Sequence, residues 1–223
     1  MKYEFLIAES SLELIPKEII NHPAIVSDSA KRGKDPSKII LDRAKHHFAM
    51  LKLPNSTKRG RPDIIHSLLL VHQYSILAQN NLSKIFIHTI EDKIIEVNNK
   101  TRIPKNYNNF IGLIEQLYEK GSIIYAGEEL LRLKEIGLKD FIKETNMNWI
   151  VFHEKGEKTD LKNLADILEQ KIIIIGGFPH GDFENEWILK DAERVIRIGD
   201  KVLDSFQILF RIITILEMNL NLI

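Results

Sequence analysis

Hydrophobic and polar residues follow a pattern along this chain that predicts a series of strands and helices. Residues 4–8 predict a buried strand, and a helix is predicted after it from about Ser10 to Ile20. Residues 84–90 and 94–98 are rich in β-forming side chains on either side of a short charged turn, which predicts a β-hairpin. The first hundred residues are therefore expected to supply both strands and helices.

Proline and charged residues mark the remaining segments of the first half. Residues 23–38 are polar and carry a run of positive charge, which predicts a mobile loop. Aspartate as a cap and proline at the first helical position are typical of a helix start. The helices predicted from such signals and from apolar spacing run from Asp35-Pro36 towards Leu53, from Pro62 to about Gln79 and from about Tyr107 to Glu119.

Strands alternate with helices in the last third, and this rhythm favours an α/β fold with a mainly parallel sheet. The last helix has an apolar face broad enough to be either deeply buried or a seam between two copies. The predicted elements are the strand Trp149–Phe152, the helix Leu161–Glu169, the strands Lys171–Ile175 and Arg194–Ile198, and the helix Lys201–Asn219.

The composition is that of an ordinary globular protein. Of 223 residues, 44% are hydrophobic and 28% charged, and 31 basic residues balance 31 acidic ones, so any nucleic-acid surface must be local. The absence of cysteine excludes disulfides, thiolate nucleophiles and cysteine metal ligands. The N-terminus lacks the apolar segment of a signal peptide, and charges interrupt the longest apolar stretch. We therefore expect a cytoplasmic protein without a membrane span.

Three predicted strand ends in the last third carry glycine, and together they could form one cleft. The run Ile172–Ile175 leads into Gly176-Gly177-Phe178-Pro179-His180-Gly181, and the other two ends are Phe152–Gly156 and Arg197–Lys201. Ligands of open α/β sheets bind at the carboxyl ends of strands, where glycine lets the backbone approach closely. The pattern is not the G-x-G-x-x-G of a dinucleotide site, and each segment alone is more often a plain turn.

Two rigid basic turns are candidates for contact with nucleic acid. The first is Arg59-Gly60-Arg61-Pro62-Asp63, and the second is Arg102-Ile103-Pro104-Lys105. Guanidinium groups suit bidentate contacts with phosphates and base edges. Local basic turns in a neutral protein fit a selective RNA binder, although either turn alone is more often solvated charge.

The histidines of the first half do not indicate a metal site. The spacing of His46, His47 and His66 matches no zinc motif, and cysteine ligands are absent. We expect no metal, and we expect His46 or His47 to pack or to form hydrogen bonds at a helix surface.

Three segments of the chain carry distinctive motifs. They are His46–His66, with Lys58-Arg59-Gly60-Arg61-Pro62-Asp63; Glu96–Gly112, with Thr101-Arg102-Ile103-Pro104; and Ile174–Gly181, with Gly176-Gly177-Phe178-Pro179. On these blocks the chain resembles the archaeal and eukaryotic SPOUT-class pseudouridine N1-methyltransferases of the small ribosomal subunit. The blocks cover most of the chain and occur in the family's order.

The resemblance implies a fold, a cofactor and partners. The fold is an α/β SPOUT type in one domain over residues 1–223, with a parallel sheet and a C-terminal trefoil knot, a rare exception to unknotted topology. Family-specific insertions would span about 23–38 and 84–105, and the knot and cofactor region about 149–223. S-adenosylmethionine would bind in the knot of a homodimer. Small-subunit rRNA would be the substrate, in ribosome biogenesis, with ribosomal assembly proteins as further partners.

The resemblance also implies roles for single residues. Arg59, Arg61, Arg102 and Lys105 are expected to bind RNA, and Asp63 to brace Arg61. A carboxylate beside an arginine is held in its ionised form and is a weak base, so we expect Asp63 to position the substrate. The residues expected at the cofactor are Phe152, His153, Gly176, Gly177, Gly181, Arg197, Ile198, Gly199, Asp200, Lys201, Val202 and Leu203.

Two other functions fit the sequence less well. The chain could be a non-catalytic assembly factor that binds rRNA and uses the fold as a scaffold. Cofactor binding without turnover on pseudouridine-containing RNA would select that function. An unrelated nucleotide-binding α/β protein is the third hypothesis, but the sequence has neither G-x-G-x-x-G nor a Walker loop.

Overall fold

An eight-stranded mixed sheet forms the centre of the molecule, and the computed structural model describes residues 2–223. Its strands are β1 (Tyr3–Ser10), β2 (Ser83–Thr89), β3 (Ile94–Val97), β4 (Ser122–Tyr125), β5 (Glu128–Lys134), β6 (Trp149–Lys158), β7 (Ile172–Gly176) and β8 (Arg194–Arg197). They lie in the order β4-β5-β3-β2-β1-β7-β6-β8.

Helices cover both faces of this sheet. None of those within residues 2–223 is long and apolar enough to cross a bilayer. They are α1 (Pro23–Arg32), α2 (Arg43–Met50), α3 (Pro62–Gln73), α4 (Ile76–Gln79), α5 (Tyr107–Lys120), α6 (Leu138–Thr145), α7 (Leu164–Leu168), α8 (Trp187–Lys190) and α9 (Ser205–Asn219).

Alternate residues of β1 face two different helical layers. Phe5 and Ile7 belong to a core shared with α3, α5, α7 and α9, whereas Leu6 and Ala8 belong to one shared with α6 and α8. The isoleucines of β7 are all buried, as expected for a central strand that is covered on both faces. Because β1, β7 and β6 are parallel, their carboxyl ends open on one edge of the sheet.

The predicted parallel sheet is confirmed for the strands β2-β1-β7-β6-β8, and β2 and β3 form the predicted antiparallel hairpin. Residues 84–105, expected as an insertion, hold most of β2, which pairs directly with β1 and is integral to the sheet. The strands β4 and β5, which were not predicted from the sequence, extend the sheet in antiparallel fashion. Charged residues alternate poorly with apolar ones there because this sheet edge is largely exposed.

The predicted helix from Ser10 to Ile20 is wrong. Leu14 forms an antiparallel bridge with Ile40, and only Lys17–Ile19 make a single 3-10 turn. Pro16 has no backbone N–H to donate within a helix, so the segment stays extended before it. Its apolar side chains are buried by packing against neighbouring segments and not by a helical face.

The mobile loop predicted at 23–38 is also wrong, because most of it is α1. Pro23 occupies the first helical position, and Gly33 ends the helix with φ of 57°. Both are ordinary signals of a helix start and stop, and the charged run of the same segment hid them. Ile25 is fully buried and anchors the helix to α2.

Three predicted helices are shorter than expected. The helix from Asp35 divides into a 3-10 turn at Pro36–Lys38, a buried extended segment and α2. The helix from Pro62 ends at Gln73, because Ser75 caps a separate short helix, α4. The last helix begins at Ser205 instead of Lys201.

His72 makes the fold sensitive to acid. It lies on α3, where its Nε2 is 3.0 Å from the Oγ of Ser83 and its ring packs edge-on against Phe5. Burial lowers the pKa of His72 to about 4. As the pH falls, His72 therefore takes up a proton at a higher pH in the unfolded chain than in the folded protein. The free energy of unfolding is expected to decrease between pH 6.5 and pH 4, by about 3 kcal/mol from His72 alone.

Chemical denaturation of the wild type and of His72→Gln at several pH values between 7 and 4 measures this contribution. The variant is expected to lose less stability over that interval. Burial also lowers the pKa values of His46 and His88, but these residues titrate in both proteins and cancel in the comparison. Equal losses in the two proteins would contradict the assignment to His72.

Candidate active site

A cleft opens at the carboxyl ends of β6 and β7. Phe152, the loop 178–183 and the segment 202–206 line it, together with Arg61 and Asp63 from the start of α3. Its volume is about 800 Å³, which lies within the usual range of small-molecule sites. The glycine-rich strand end and the first basic turn, which are far apart in sequence, therefore share one cavity.

The glycine loop shapes the cleft at two positions and supports it at a third. A Cβ on Gly176 would lie 3.0 Å from the ring of Phe178, and Gly181 has φ of 89°, a conformation that side-chain-bearing residues rarely adopt. Gly177 serves packing instead, because a Cβ there would lie 2.5 Å from the Oγ of Ser10. The loop thus depends on glycine at each of these positions, for different reasons.

His153, Lys155 and Asp182 connect the two sides of the cleft. Asp182 Oδ1 lies 3.0 Å from His153 Nε2, and Asp182 Oδ2 lies 2.9 Å from Lys155 Nζ. The backbone N–H of Lys155 donates to His153 Nδ1, so the ring proton is on Nε2 and is donated to Asp182. Burial raises the pKa of Asp182, but hydrogen bonds from Lys155 and from the Phe183 amide outweigh it, and the net pKa is lowered. Both nitrogens of His153 are therefore occupied.

Arg61 and Asp63 form a bidentate pair at the start of α3. Arg61 Nε donates to Asp63 Oδ1 over 2.8 Å, and Arg61 Nη2 donates to Asp63 Oδ2 over 2.7 Å. The hydrogen bonds from Arg61 to Asp63 raise the pKa of the guanidinium. Both side chains remain partly exposed, and Nη1 of Arg61 has no partner among residues 2–223. The pair presents an oriented cation to the cleft.

The side chain of Arg59 does not line the cleft and instead binds a buried carboxylate. Its Nε donates to the Oε1 of Glu13 over 2.8 Å, and its Nη2 contacts the second oxygen of that buried carboxylate. The hydrogen bond to Glu13 raises the pKa of Arg59. Gly60, with φ of 66°, reverses the chain between the two arginines. Arg59 therefore stabilises the turn from within, while Arg61 faces the cleft.

The second basic turn is held against α3. His66 lies one helical turn beyond Asp63, and its Nε2 is 2.7 Å from the carbonyl oxygen of Pro104. The neighbouring Arg102 and Lys105 are exposed. One helix thus carries Arg61 at its start and fixes the second turn along its side.

The paired histidines have partners within the fold. His46 is buried, its Nδ1 accepts from the backbone N–H of Asp42 over 3.1 Å, and its Nε2 lies 3.4 Å from Asp28 Oδ2. This joins α1 to α2. Across residues 2–223, no group of three or more histidine, cysteine, aspartate or glutamate residues could hold a metal ion.

The twelve residues expected at the cofactor separate into two groups. Arg197 donates to the carbonyl oxygens of Gly156 and Gly199. These bonds hold the turn after β8 against β6. The residues that line the cleft are Phe152, His153, Gly176, Gly181, Val202 and Leu203, and those that do not are Gly177, Arg197, Ile198, Gly199, Asp200 and Lys201.

Two charged residues behind the cleft were not connected with it from the sequence. Glu9, at the end of β1, is buried and accepts hydrogen bonds from the amides of Glu184 and Asn185. Lys58 is buried beside it. A glutamate after a strand and a lysine in a basic run both indicate solvated charge, so no sequence signal distinguished them.

The whole arrangement has close counterparts among known proteins. A family model described as EMG1/NEP1 methyltransferase matches residues 5–217. The chain belongs to the EMG1/NEP1 methyltransferase family. The ribosomal RNA small subunit methyltransferase Nep1 of Pyrobaculum islandicum is 47% identical over 218 residues, covering 98% of this chain and 99% of that protein. The protein of the same name from Saccharolobus solfataricus is 42% identical over 213 residues and 95% of each chain.

A solved member of the EMG1/NEP1 family has the same architecture. The crystal structure of Archaeoglobus fulgidus Nep1 bound to S-adenosylhomocysteine matches this chain with a TM-score of 0.88 and 38% identity, over 98% of both chains. The resemblance drawn from the three sequence blocks is thereby confirmed, as is the mixed α/β fold. In this member of the family, the glycine loop and the Arg61–Asp63 pair line one cleft.

Proposed function

We propose that this protein transfers a methyl group from S-adenosylmethionine to N1 of a pseudouridine in a loop of small-subunit rRNA. The observation that carries the proposal is the shared cleft, in which a glycine loop at the strand ends faces a braced arginine. The names of the relatives support methylation of small-subunit rRNA, and the ligand of the solved relative supports S-adenosylmethionine as the methyl donor. The substrate places the protein in ribosome biogenesis, and we propose the cytoplasm as its location.

The residues of the cleft fit the proposed cofactor. Gly176 and Gly181 leave room where a Cβ would meet Phe178 or Lys58. The lining combines apolar side chains, such as Phe152 and Leu203, with polar and charged ones. This mixture suits a ligand that has both an apolar ring system and a charged amino-acid end.

Methyl transfer requires the protein mainly to align the two reactants, and it requires no general acid. When bound, S-adenosylmethionine supplies an electrophilic methyl group on a sulfonium sulfur. Pseudouridine is joined to its ribose through carbon, so its N1 carries a hydrogen and becomes a nucleophile when that proton leaves. Holding the two reactants in line can contribute roughly 7–11 kcal/mol in favourable cases. Arg61, fixed by Asp63, is positioned to orient the RNA for this step.

The other ionisable side chains of the cleft differ in whether hydrogen bonds within the protein already occupy them. Both nitrogens of His153 are occupied, and Asp182 receives hydrogen bonds from His153, Lys155 and Phe183. The ring of His180 lines the cleft and makes no hydrogen bond within residues 2–223. His153 and Asp182 therefore maintain the shape of the site, and His180 is free to meet the substrate.

We also propose that the C-terminal region forms the family's trefoil knot. The chain runs from β7 to β8 at the sheet edge and then returns, so that Ser205 Oγ donates to the carbonyl oxygen of Gly176 over 2.6 Å. Within β6, beyond a shift of register that follows Phe152, the strand lies so close to its neighbour β8 that a Cβ on Gly156 would be 2.7 Å from the backbone of Ile196. The return of the chain from β8 to the end of β7, beside this tightly packed strand pair, supports the knot.

The outer face of α9 supports a homodimer. The inner face is core, with Leu209, Ile212, Ile213 and Leu216 buried. Phe206, Phe210 and Met218 form an exposed apolar stripe on the other side, and the nearby Val202 is 76% exposed. We propose that this stripe packs against its copy in a twofold dimer, because such a contact is self-complementary.

The dimer is expected to dissociate when a charge is placed in the stripe. Light scattering at micromolar concentration should give a dimeric mass for the wild type and a monomeric mass for Phe210→Glu, because an unpaired carboxylate in an apolar interface is costly. Phe48→Glu is the matched control, since Phe48 is also exposed, at 73% against 57% for Phe210, but lies on α2. A monomeric wild type, or a dimeric Phe210→Glu, would exclude this interface.

Methyl transfer itself tests the proposed function. The protein is incubated with S-adenosylmethionine labelled on the methyl group and with small-subunit or large-subunit rRNA, and the RNA is counted. Incorporation into small-subunit rRNA alone is expected. Binding of the cofactor product and of the RNA without incorporation would instead select a non-catalytic assembly factor.

A further inference from the structure

Glu9 holds the loop that follows the glycine strand end. Its Oε2 accepts from the backbone N–H of Glu184 over 2.8 Å, and its Oε1 accepts from the backbone N–H and the side chain of Asn185 over 2.8 and 2.9 Å. Glu9 adopts φ of 50°, which is uncommon outside glycine. Its own N–H donates to His88 Nδ1 over 3.0 Å, which fixes this backbone geometry. A buried carboxylate with these bonds defines where the loop lies.

Lys58 contacts the same loop from the other side. Its Nζ lies 3.4 Å from Glu9 Oε2 and donates to the carbonyl oxygen of Asp182. It also lies 4.4 Å from the ring centre of Phe178, over the aromatic face. The side chain is only 11% exposed. Its Nζ also lies 3.7 Å from Glu184 Oε1, so this ammonium group contacts Glu9 and the segment 178–184 that follows the glycine strand end.

Lys58 also belongs to the arginine turn, residues 58–61. Ser11 fastens both ends of this turn: its Oγ donates to the carbonyl oxygen of Lys58, and its own carbonyl oxygen accepts from the backbone N–H of Arg61 over 3.2 Å. The backbone N–H of Arg43 donates to the carbonyl oxygen of Gly60 over 2.8 Å. A movement of Arg61 on binding RNA would thus be transmitted to Lys58 along a short, bonded path.

We propose that Glu9 and Lys58 are positioning residues that hold the loop 178–185 in its cofactor-binding form and couple it to the arginine turn 58–61. The inference rests on the proposed function and adds to it a physical link between the two substrates. Binding of either substrate would then favour the conformation that binds the other. Because such coupling is reciprocal, RNA and the cofactor product should raise each other's affinity by the same factor.

The test measures affinities in a closed cycle. Calorimetry gives the dissociation constant of S-adenosylhomocysteine, with and without a synthetic RNA hairpin that carries pseudouridine in its loop. In Lys58→Met, the affinity for S-adenosylhomocysteine alone is expected to fall about tenfold, the usual effect of losing a hydrogen bond from a charged group. The factor by which RNA changes that affinity is expected to fall to about one. Glu9→Gln, which places an amide nitrogen near the loop N–H groups, should show the same two defects.

Lys34→Met is the matched control. Lys34 pairs with the buried Glu115, which also binds Arg32, so its loss removes a lysine–carboxylate pair whose members do not line the cleft. Its stability should fall, while its affinity for S-adenosylhomocysteine and the coupling factor should match the wild type. An unchanged coupling factor in folded Lys58→Met and Glu9→Gln, or equal defects in Lys34→Met, would overturn the inference.

Hydrogen exchange on the wild type provides a second test that needs no variant. RNA binding without S-adenosylhomocysteine is expected to slow hydrogen exchange at the backbone amides of Glu184 and Asn185. Both amides donate hydrogen bonds to the carboxylate of Glu9. Unchanged exchange at both amides would contradict the coupling. A wild type that binds no S-adenosylhomocysteine, or transfers no methyl group, would defeat the proposed function itself and is distinguished by that result.

Discussion

Replacing Gly181 with valine is expected to abolish binding of S-adenosylhomocysteine while leaving the chain folded. Valine is strongly disfavoured at φ of 89°, and its Cβ would lie 3.3 Å from the side chain of Lys58. Strain at one such position costs roughly 1–3 kcal/mol, and the added methyl groups displace the loop further. Gly176→Val should have a comparable effect, because its side chain would displace the ring of Phe178, which lines the cleft.

Calorimetry on the folded variants measures the loss, which is expected to reach at least about a hundredfold. Gly127→Val is the matched control. Gly127 also has a positive φ, of 81°, but it lies in the turn between β4 and β5 with open space around it. That variant carries the same backbone strain and should bind S-adenosylhomocysteine as the wild type does. Unchanged affinity in both Gly176→Val and Gly181→Val would place the ligand elsewhere.

Arg61→Ala is expected to weaken binding of the target RNA by about tenfold to a hundredfold, because it removes a charge-assisted contact. The affinity for S-adenosylhomocysteine should change much less, since Arg61 caps α3 and belongs to the side of the cleft that does not carry the glycine loop. Arg61→Lys should recover only part of the loss, because lysine lacks the planar fork that Asp63 holds. Arg102 and Lys105, on the second turn, should give smaller losses of the same kind.

Arg59→Ala is the matched control within the same turn. It is expected to lower stability by leaving Glu13 without its partner, with a smaller effect on RNA affinity than Arg61→Ala. Electrophoretic mobility shift at fixed salt measures these affinities. Normal RNA affinity in Arg61→Ala would show that the pair with Asp63 is only a solvated surface feature.

Asp63 variants separate positioning from proton transfer. If Asp63 only braces Arg61, Asp63→Ala and Asp63→Asn should show a milder form of the RNA-binding defect, with a proportionate fall in rate. If Asp63 accepts the proton from N1, Asp63→Asn should keep RNA affinity and lose nearly all single-turnover activity. The bidentate bonds from Arg61 occupy both carboxylate oxygens and favour the first outcome.

The fold could be predicted where local pattern and final environment agree. The isoleucine run of β7 and the glycine turn that follows it indicate a buried central strand and its end, and both are present. Prediction failed where a competing or weak pattern concealed an element. Pro23 and Gly33 bound a helix that a charged run disguised, and β4 and β5 occupy an exposed sheet edge whose alternation is weak.

The site could be predicted in its parts but not in its assembly. Sequence blocks identified Gly176, Gly181, Arg61 and Asp63, and the structure places all four in one cleft. Spacing along the chain could not show that Arg59 would turn inward to Glu13. Nor could it show that Glu9 and Lys58 would meet behind the loop, since 49 residues separate them in sequence.

Two RNA hairpins that differ only in one loop base, uridine or pseudouridine, test the central claim most directly. The protein is incubated with each hairpin and with S-adenosylmethionine labelled on the methyl group, and the modified nucleoside is identified by mass spectrometry. We expect a methyl group on N1 of pseudouridine and no methylation of the uridine hairpin, because N1 of uridine is bonded to the ribose. Equal labelling of both hairpins, or no labelling of either by protein that binds S-adenosylhomocysteine and the RNA, would contradict it.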